Sequence, residues 1–284
     1  SWVKCYTDAK GILCVIIYSP PPFISCYNSI MYYSDIEQFK SLCGYVIDDI
    51  WYPRVTKIVE IKAKPALYRF YAGMTSFSEG EKIKIASASE GTKIHSAVEQ
   101  ILTGKNPEIE PDIQPSVEAF KKFIETRKIQ VDPEYVEKRV VNYEEGYAGT
   151  TDALAIIDGK FGVLDIKTSQ AIYRDYSLQT SAYMAALFTT LPRLETRWIL
   201  RIDQTRSCLL CGAILRSKGG RDKIKTDPKN GVMKNCAHNW SELKGETELQ
   251  EFPYWQKDYA AFLGAKKLWE WENELWLGKI GYLA

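Results

Sequence analysis

The sequence lacks a long apolar run. No stretch of its 284 residues approaches the roughly 20 apolar residues that a membrane-spanning helix needs, so we expect a soluble protein with no membrane contact. The apolar residues 12–18 are not followed by a convincing small-residue cleavage site of the kind that ends a secretory signal. We therefore expect a cytoplasmic location.

An excess of charge of one sign is also missing. The chain has 37 basic and 36 acidic residues and a formal net charge of +1. The molecule as a whole therefore has no electrostatic field that would steer it to DNA. Any nucleic-acid surface has to be a local cluster of basic residues.

A disulfide framework and a nucleotide-binding loop are absent as well. Seven cysteines is an odd number, and three of them have the spacing of metal ligands, which indicates a reducing compartment. The chain has no G-x-x-x-x-G-K-[ST] motif, so any strand separation would need a partner protein.

Four soft or borderline metal ligands are present after residue 205. Cys208 and Cys211 form a C-x-x-C pair, and Cys236 and His238 follow after a spacer of 24 residues. A set of three cysteines and one histidine favours tetrahedral Zn²⁺ in a closed structural site. Free thiols that bind no metal remain an alternative, because C-x-H is a less usual second pair than C-x-x-C.

The spacer between these ligand pairs is basic. Residues 216–234 include seven basic and two acidic residues, a local charge of +5. Such a segment suits contact with a phosphate backbone, although most charge runs are solvated loops. We predict an inserted zinc-knuckle-like basic loop at residues 205–240. Its predicted DNA-binding residues are Arg216, Lys218, Arg221, Lys223 and Lys225.

A β-hairpin is predicted around Asp158 and Gly159. Apolar runs flank this dipeptide, whose backbone readily takes the positive φ angles of a tight turn. With these two residues as the loop, Asp152 lies opposite Asp165, with about 4.5–5.5 Å between the Cβ atoms. Strand alternation puts Lys167 on the same face. Facing carboxylates destabilise a sheet unless a cation neutralises them. In a register shifted by one residue, Asp152 would instead face Lys167 in an ordinary surface ion cluster.

The residues that flank the hairpin favour the first register. Residues 177–187 have the pattern of a helix on which Gln179 and Tyr183 lie on one side. Four motifs in this order resemble the PD-(D/E)xK nucleases of the RecB type. They cover residues 90–187, about a third of the chain, and are Gly91-x-x-x-His95, Gly149-x-x-Asp152, Asp165-Ile166-Lys167 and Gln179-x-x-x-Tyr183.

The resemblance implies a restriction-endonuclease-like core and metal-dependent hydrolysis of phosphodiesters. By the same resemblance, the metal ligands are His95, Asp152, Asp165 and the backbone carbonyl of Ile166. Lys167 would orient the attacking water, and Gln179 and Tyr183 would hold the substrate strand or steady Lys167. Oxygen ligands suit Mg²⁺, and the imidazole makes Mn²⁺ a suitable activator.

The resemblance also offers an alternative to zinc. Some relatives of this type, including CRISPR-associated ones, bind an iron–sulfur cluster through one cysteine upstream of the histidine and three after the Q-x-x-x-Y helix. Cys43 would take the upstream position here. The long gap before Cys236 and the nearby His238 depart from that pattern, so zinc is the preferred prediction.

The remaining pattern indicates an α/β fold. Apolar spacing predicts helices at residues 85–102 and 111–131, strands at 135–142 and 196–204, and an aromatic helical tail at 252–282. These elements predict a mixed central β-sheet flanked by helices. We expect residues 51–204 and 241–284 to form this core, after an N-terminal extension of uncertain order at residues 1–50.

Together these patterns predict a Mg²⁺- or Mn²⁺-dependent deoxyribonuclease. By resemblance, it is an exonuclease of DNA repair, recombination or phage DNA processing in a bacterium or a phage-infected host. DNA and a helicase or recombination protein are the expected partners. The alternative is a non-catalytic, zinc-bearing nucleic-acid-binding or assembly subunit on the same scaffold. Asp152, Asp165 and Lys167 favour the enzyme, because a degenerate relative is expected to lose one of them.

Overall fold

The computed structural model describes residues 2–8, 11–17, 33–226 and 236–283. Its strands, in chain order, are β1 (Trp2–Asp8), β2 (Gly11–Ile17), β3 (Gly44–Ile47), β4 (Ile50–Pro53), β5 (Gln130–Asn142), β6 (Tyr147–Ile157), β7 (Lys160–Lys167), β8 (Thr196–Ser207), β9 (Ile214–Lys218), β10 (Arg221–Lys225) and β11 (Lys244–Glu251). Its helices are α1 (Ile36–Cys43), α2 (Val55–Glu60), α3 (Pro65–Ala72), α4 (Phe77–Leu102), α5 (Gln114–Arg127), α6 (Asp175–Phe188), α7 (Gln256–Glu272) and α8 (Glu274–Lys279). Within the described ranges, no helix combines the length and apolar character needed to cross a membrane.

Seven strands form the central sheet, in the spatial order β10, β9, β8, β7, β6 and β5, with β11 paired to β8. β5, β6 and β7 are antiparallel neighbours, whereas β7 and β8 run parallel. Helix α6 connects the parallel pair, because parallel strands need a long crossover. The predicted α/β fold with a mixed central sheet and flanking helices is confirmed at this level.

Two apolar cores lie on opposite faces of the sheet. Leu154 and Val163 of the central hairpin belong to the first core, and Ala155 and Leu164, the next residues along each strand, belong to the second. Adjacent strand residues point to opposite faces, so the two cores are separated by the sheet. Side chains of α1, α2, α6, α7 and α8 fill the first core, and side chains of α4 and α5 fill the second.

Part of the predicted N-terminal extension belongs to the first core. Phe39 and Cys43 of α1 are fully buried there. The ring of Phe39 stacks on those of Trp269 and Trp276, at centroid distances of 6.4 and 5.6 Å. A boundary at residue 50 therefore does not separate the core from an extension. Nearer the N-terminus, β1 and β2 pair as a two-stranded sheet, and the prediction for residues 18–32 lies outside the described residues.

The segment predicted as an inserted basic loop is partly sheet. β9 and β10 extend the central sheet from the end of β8, where Arg206 pairs with Leu215. Leu215 is buried, but charged neighbours conceal the alternation of β9 in the sequence. Residues 227–235, which include Lys229 and Lys234 of the basic run, lie outside the described residues.

A buried arginine joins the sheet to two helices. Arg197 of β8 is fully buried, and its guanidinium forms an ion pair with Asp258 of α7. It also donates hydrogen bonds to the backbone carbonyls of Ser177 in α6 and Tyr254 before α7. These bonds hold α6, which bears Gln179 and Tyr183, against the C-terminal helices.

Candidate active site and metal centre

The central hairpin has the predicted register. Ile157 pairs with Lys160, and the pairing continues to Ala153 and Leu164. Asp158 and Gly159 form the turn, with φ angles of 52° and 81°. The next positions after the last pair are Asp152 and Asp165, which therefore lie opposite each other. The register shifted by one residue is wrong.

Asp152 is held by the neighbouring strand. Its Oδ2 accepts a hydrogen bond of 2.5 Å from the backbone N–H of Ile166. The side chain of Ile166 is buried in the second core, which fixes the amide that holds Asp152. Burial raises the pKa of Asp152, although Lys167 and the Ile166 amide act in the opposite direction.

Asp165 is almost fully buried, with 1% of its surface exposed. Its Oδ1 accepts a hydrogen bond of 3.2 Å from Gln179. Its Oδ2 forms an ion pair with the Lys167 ammonium at 2.7 Å. Burial and the nearby Asp152 raise the pKa of Asp165 to about 6 against the effect of Lys167.

Lys167 lies between carboxylates and an aromatic ring. Burial alone would lower its pKa, but Asp165 and Asp152 outweigh burial and raise the pKa above its ordinary value. The ammonium also lies 5.3 Å from the centroid of the Tyr176 ring. Lys167 therefore stays charged at neutral pH. Tyr176 was not predicted as a site residue, because its role depends on how the loop after β7 folds back.

Gln179 and Tyr183 lie on one side of α6, as predicted from their spacing. Gln179 donates hydrogen bonds to both Asp165 and the Tyr183 hydroxyl, the latter at 3.0 Å. Tyr183 is only 1% exposed, so it positions Gln179 instead of contacting a substrate. Gly149 is required for this packing, because a Cβ there would lie 2.4 Å from the Tyr183 ring. Both ends of the Gly-x-x-Asp motif therefore have a structural role. Gly149 leaves room for the Tyr183 ring, and Asp152 accepts the hydrogen bond from Ile166.

The pairing of β5 with β6 is irregular where Asp152 lies. Val136 pairs with Ala153 and Lys138 with Thr151, so Glu137 is opposite Asp152. Glu137 has a φ of 51°, in the left-handed region. Loss of solvation and the nearby Asp152 and Glu99 raise the pKa of Glu137 to about 7. Three acidic residues on adjacent strands, together with Glu99 of α4, therefore concentrate negative charge at one place.

His95 reaches this region from α4. The helix passes close to the end of β7, where a Cβ at Gly91 would lie 2.7 Å from Thr168 Oγ1. Burial and the charge of Lys167 lower the pKa of His95 to about 4. The imidazole is therefore neutral at pH 7 and makes no hydrogen bond to any residue that the structure describes. A neutral imidazole has a nitrogen lone pair available for a metal or a proton.

These side chains do not form a closed ligand cage. Over the described ranges, only one group of three or more histidine, cysteine or acidic side chains has all its ligand atoms within 4.8 Å of one another, and it is the Cys/His group. His95, Asp152 and Asp165 do not belong to it. The structure thus brings the predicted catalytic residues to one region without the compact arrangement of a bound ion.

Two ligand distances in the Cys/His group match those of tetrahedral coordination. Cys208 Sγ and Cys236 Sγ are 3.8 Å apart, and Cys211 Sγ and His238 Nδ1 are 3.4 Å apart. Tetrahedral zinc with ordinary bond lengths requires about 3.8 Å between two sulfurs and about 3.6 Å between sulfur and nitrogen. This group, predicted from the spacing of its residues, could bind a metal such as zinc.

Local structure favours the thiolate form of one of these ligands, Cys208. Burial would raise the pKa of Cys208, but hydrogen bonds from the His238 side chain and from the backbone N–H groups of Cys211 and Leu210 lower it to about 6. The imidazole of His238 stacks on Trp240, at a centroid distance of 4.7 Å. Cys43 is not in the group, because it is buried in the first core and donates a hydrogen bond to Tyr33.

The predicted DNA-binding residues have different surroundings. Arg216 forms an ion pair with Asp203 at 2.6 Å, and Lys218 donates a hydrogen bond to the carbonyl of Thr168. Both side chains are held by contacts within the protein, and their role in DNA binding stays a prediction. The other three lie on β10: Arg221 is 5.0 Å from the Phe70 ring, Lys223 donates a hydrogen bond of 3.0 Å to Gln170, and Lys225 is exposed.

Comparison with known proteins gives little further information. No family model matches the sequence, and no curated protein matches it. Among solved structures, the chain is similar to one titled "Crystal structure of SSO0001", at 16% sequence identity and a TM-score of 0.33, with 76% of this chain and 73% of that chain covered. A TM-score this low supports no conclusion about fold or function.

Proposed function

We propose that this chain is a metal-dependent deoxyribonuclease of the PD-(D/E)xK type. One observation carries the proposal: Asp165 is buried opposite a second carboxylate, that of Asp152, and the single ammonium of Lys167 lies beside both. One ammonium leaves one of the two carboxylates without a compensating charge, and two facing carboxylates repel each other. A divalent cation between them would offset both costs.

The donor set suits a hard divalent cation. Asp152 and Asp165 offer carboxylate oxygens and His95 offers a neutral imidazole nitrogen, so these three would hold Mg²⁺ or Mn²⁺. The resemblance adds the carbonyl oxygen of Ile166. Such a cation, when bound, polarises a phosphate and lowers the pKa of a coordinated water. The three side chains are not grouped as the Cys/His ligands are, so they would have to move together to share one ion.

The other site residues have positioning roles in this proposal. Lys167 would orient the attacking water and offset charge that develops on the phosphate. Asp165 and the Tyr176 ring hold its ammonium in place. Gln179 fixes the orientation of Asp165, and Tyr183 fixes Gln179.

DNA is the proposed substrate, and exonuclease action follows the family resemblance by analogy. Lys223 and Lys225 of β10 are exposed cations in the described part of the predicted basic segment. Lys223 contacts Gln170, three positions after Lys167, so this strand lies close to the proposed site. Repair, recombination or phage DNA processing would supply the ends, with a helicase or recombination protein as the partner that separates strands.

A cleavage assay tests the proposal. End-labelled linear and closed circular DNA, single- and double-stranded, would be incubated with wild type, Asp165→Asn or Lys167→Gln in Mg²⁺, Mn²⁺ or EDTA. We expect EDTA to abolish cleavage and each substitution to slow it by at least about 100-fold. Asp158→Asn is the matched control, because Asp158 is an exposed acid in the turn of the same hairpin. Equal activity of wild type and Asp165→Asn would refute the assignment.

A second candidate is a non-catalytic, zinc-bearing nucleic-acid-binding or assembly subunit. The observation that favours it is the contrast between the two sites, since the Cys/His group is compact and the acidic group is not. In that case no variant of the acidic residues would alter DNA binding, and no preparation would cleave DNA. Loss of the Cys/His ligands would then weaken DNA binding or the association with a partner protein, as measured by gel filtration.

A further inference from the structure

Tyr45 of β3 lies between two guanidinium groups. The central carbon of Arg54 is 4.2 Å from the centroid of the Tyr45 ring, and that of Arg139 is 4.3 Å from it. One face of a phenol ring has room for a single guanidinium at this distance, so the two lie on opposite faces. Stacking of arginine on an aromatic ring is favourable, but two cations close together repel each other unless their charges are compensated.

The two arginines differ in their other partners. Arg54 donates hydrogen bonds of 3.1 and 3.0 Å to the carbonyls of Gly44 and Ser41, at the end of α1. The C-terminal carbonyls of a helix carry partial negative charge, which compensates Arg54. The side chain of Arg139 is exposed and makes neither a hydrogen bond nor an ion pair with any residue of the described ranges. Its N–H groups are therefore available to an anion from outside the protein.

Arg139 lies close to the proposed active site along the strands. It pairs with Thr150 of β6, two residues before Asp152, and the Tyr45 hydroxyl is 3.5 Å from Thr150 Oγ1. Tyr45 is also one of the groups that raise the pKa of Tyr183, after burial, Asp165 and Asp152. Two residues of a strand span about 6.6 Å. An anion on Arg139 would thus lie beside the acidic residues without being held by them.

We propose that Arg139, supported by Tyr45, binds a backbone phosphate of the nucleic acid strand next to the one that is cleaved. This inference rests on the proposed nuclease function and adds a strand-binding contact that no motif of the sequence predicts. Stacking on Tyr45 fixes the plane of the guanidinium, and its edge is then free for two hydrogen bonds to phosphate oxygens. A lysine at this position would keep the charge but lose the planar fork.

Binding and cleavage by charge variants test the inference. Arg139→Gln and Arg139→Lys would be compared with Lys138→Gln, which removes a positive charge from the adjacent position of the same strand. Affinity for a labelled oligodeoxynucleotide, single-stranded and as a duplex, would be measured in an Asp165→Asn background at several salt concentrations. Single-turnover cleavage would be measured without that background substitution. Circular-dichroism melting would check that each variant folds.

We expect Arg139→Gln to bind the oligodeoxynucleotide about tenfold more weakly than wild type. The dependence of its affinity on salt concentration should correspond to about one phosphate contact fewer. Arg139→Lys should recover only part of the affinity, and Lys138→Gln should resemble wild type. If wild type cleaves DNA but Arg139→Gln and Lys138→Gln behave alike, the phosphate subsite is wrong and the nuclease stands. If wild type neither binds nor cleaves DNA, both proposals are refuted.

Discussion

Replacing Cys236 by serine should destabilise the protein by an amount that follows from the chain length between metal ligands. A metal held by Cys211 and Cys236 closes a loop with 24 residues between its ends. Closing a loop of that length restricts the unfolded chain and stabilises the fold by about 3.5 kcal/mol at 25 °C. Serine is a poor zinc ligand, so this contribution should be lost in the Cys236→Ser variant.

The assay is metal analysis combined with thermal unfolding. Wild type should contain one zinc per chain, and Cys236→Ser should contain little. Its melting temperature should fall by roughly 7–14 °C, and chelation of the wild-type metal should produce the same fall. Cys43→Ser is the control, because Cys43 is buried in the first core and is not in the Cys/His group. Loss of metal from Cys43→Ser, or an unchanged metal content in Cys236→Ser, would contradict the zinc site.

Two further predictions concern stability and are measured by urea unfolding. Gly149→Ala should cost about 1–3 kcal/mol by overpacking and should slow cleavage, since a Cβ would lie 2.4 Å from the Tyr183 ring. Gly264→Ala is the control, because Gly264 of α7 faces open space, and it should be neutral or stabilise by up to about 1 kcal/mol. Equal stability of the two variants would contradict the close packing of Gly149 against Tyr183. Asp258→Ala should cost about 3–5 kcal/mol, because it leaves the buried guanidinium of Arg197 without its carboxylate. Adding Arg197→Met should recover most of that loss, and a double variant no more stable than Asp258→Ala would refute the reasoning.

The central hairpin could be predicted because its determinants are local. A two-residue turn of Asp158 and Gly159 fixes the register, and alternation then assigns every side chain to a face. The helix that follows has its own periodicity, so the position of Gln179 relative to Tyr183 was also predictable. The C-x-x-C pair and the later cysteine and histidine could also be recognised as one group, because their residue types and spacing are typical of metal ligands.

Features that depend on distant parts of the chain could not be predicted in this way. The burial of Phe39 depends on tryptophans more than 200 residues away, so α1 resembled a loose extension in the sequence. The ion pair of Arg216 with Asp203 joins residues that are 13 positions apart, on neighbouring strands. The sequence does not reveal this pair, so Arg216 was assigned to a DNA surface. The basic residues near Arg216 also made β9 and β10 resemble a loop in the sequence. Glu137 illustrates the same limit, because its left-handed backbone has no marker in the sequence.

The exposure of Arg139 has the same origin. In the sequence it is one of two basic residues in a charged strand, with nothing to distinguish it from Lys138. Only the fold shows that Arg54 is compensated by the end of α1, whereas Arg139 is left with an aromatic ring and no acidic partner among the described residues. A role for this residue therefore emerges from tertiary contacts and not from motif spacing.

Binding of Mn²⁺ to zinc-loaded protein tests the central claim most directly, since it requires neither a substrate nor a partner. Electron paramagnetic resonance would count the Mn²⁺ bound by wild type, by Asp165→Asn and by the turn variant Asp158→Asn. We predict a bound ion in wild type and in Asp158→Asn, and strongly reduced binding in Asp165→Asn. The same Mn²⁺ binding in all three proteins would show that the facing carboxylates do not hold a divalent ion.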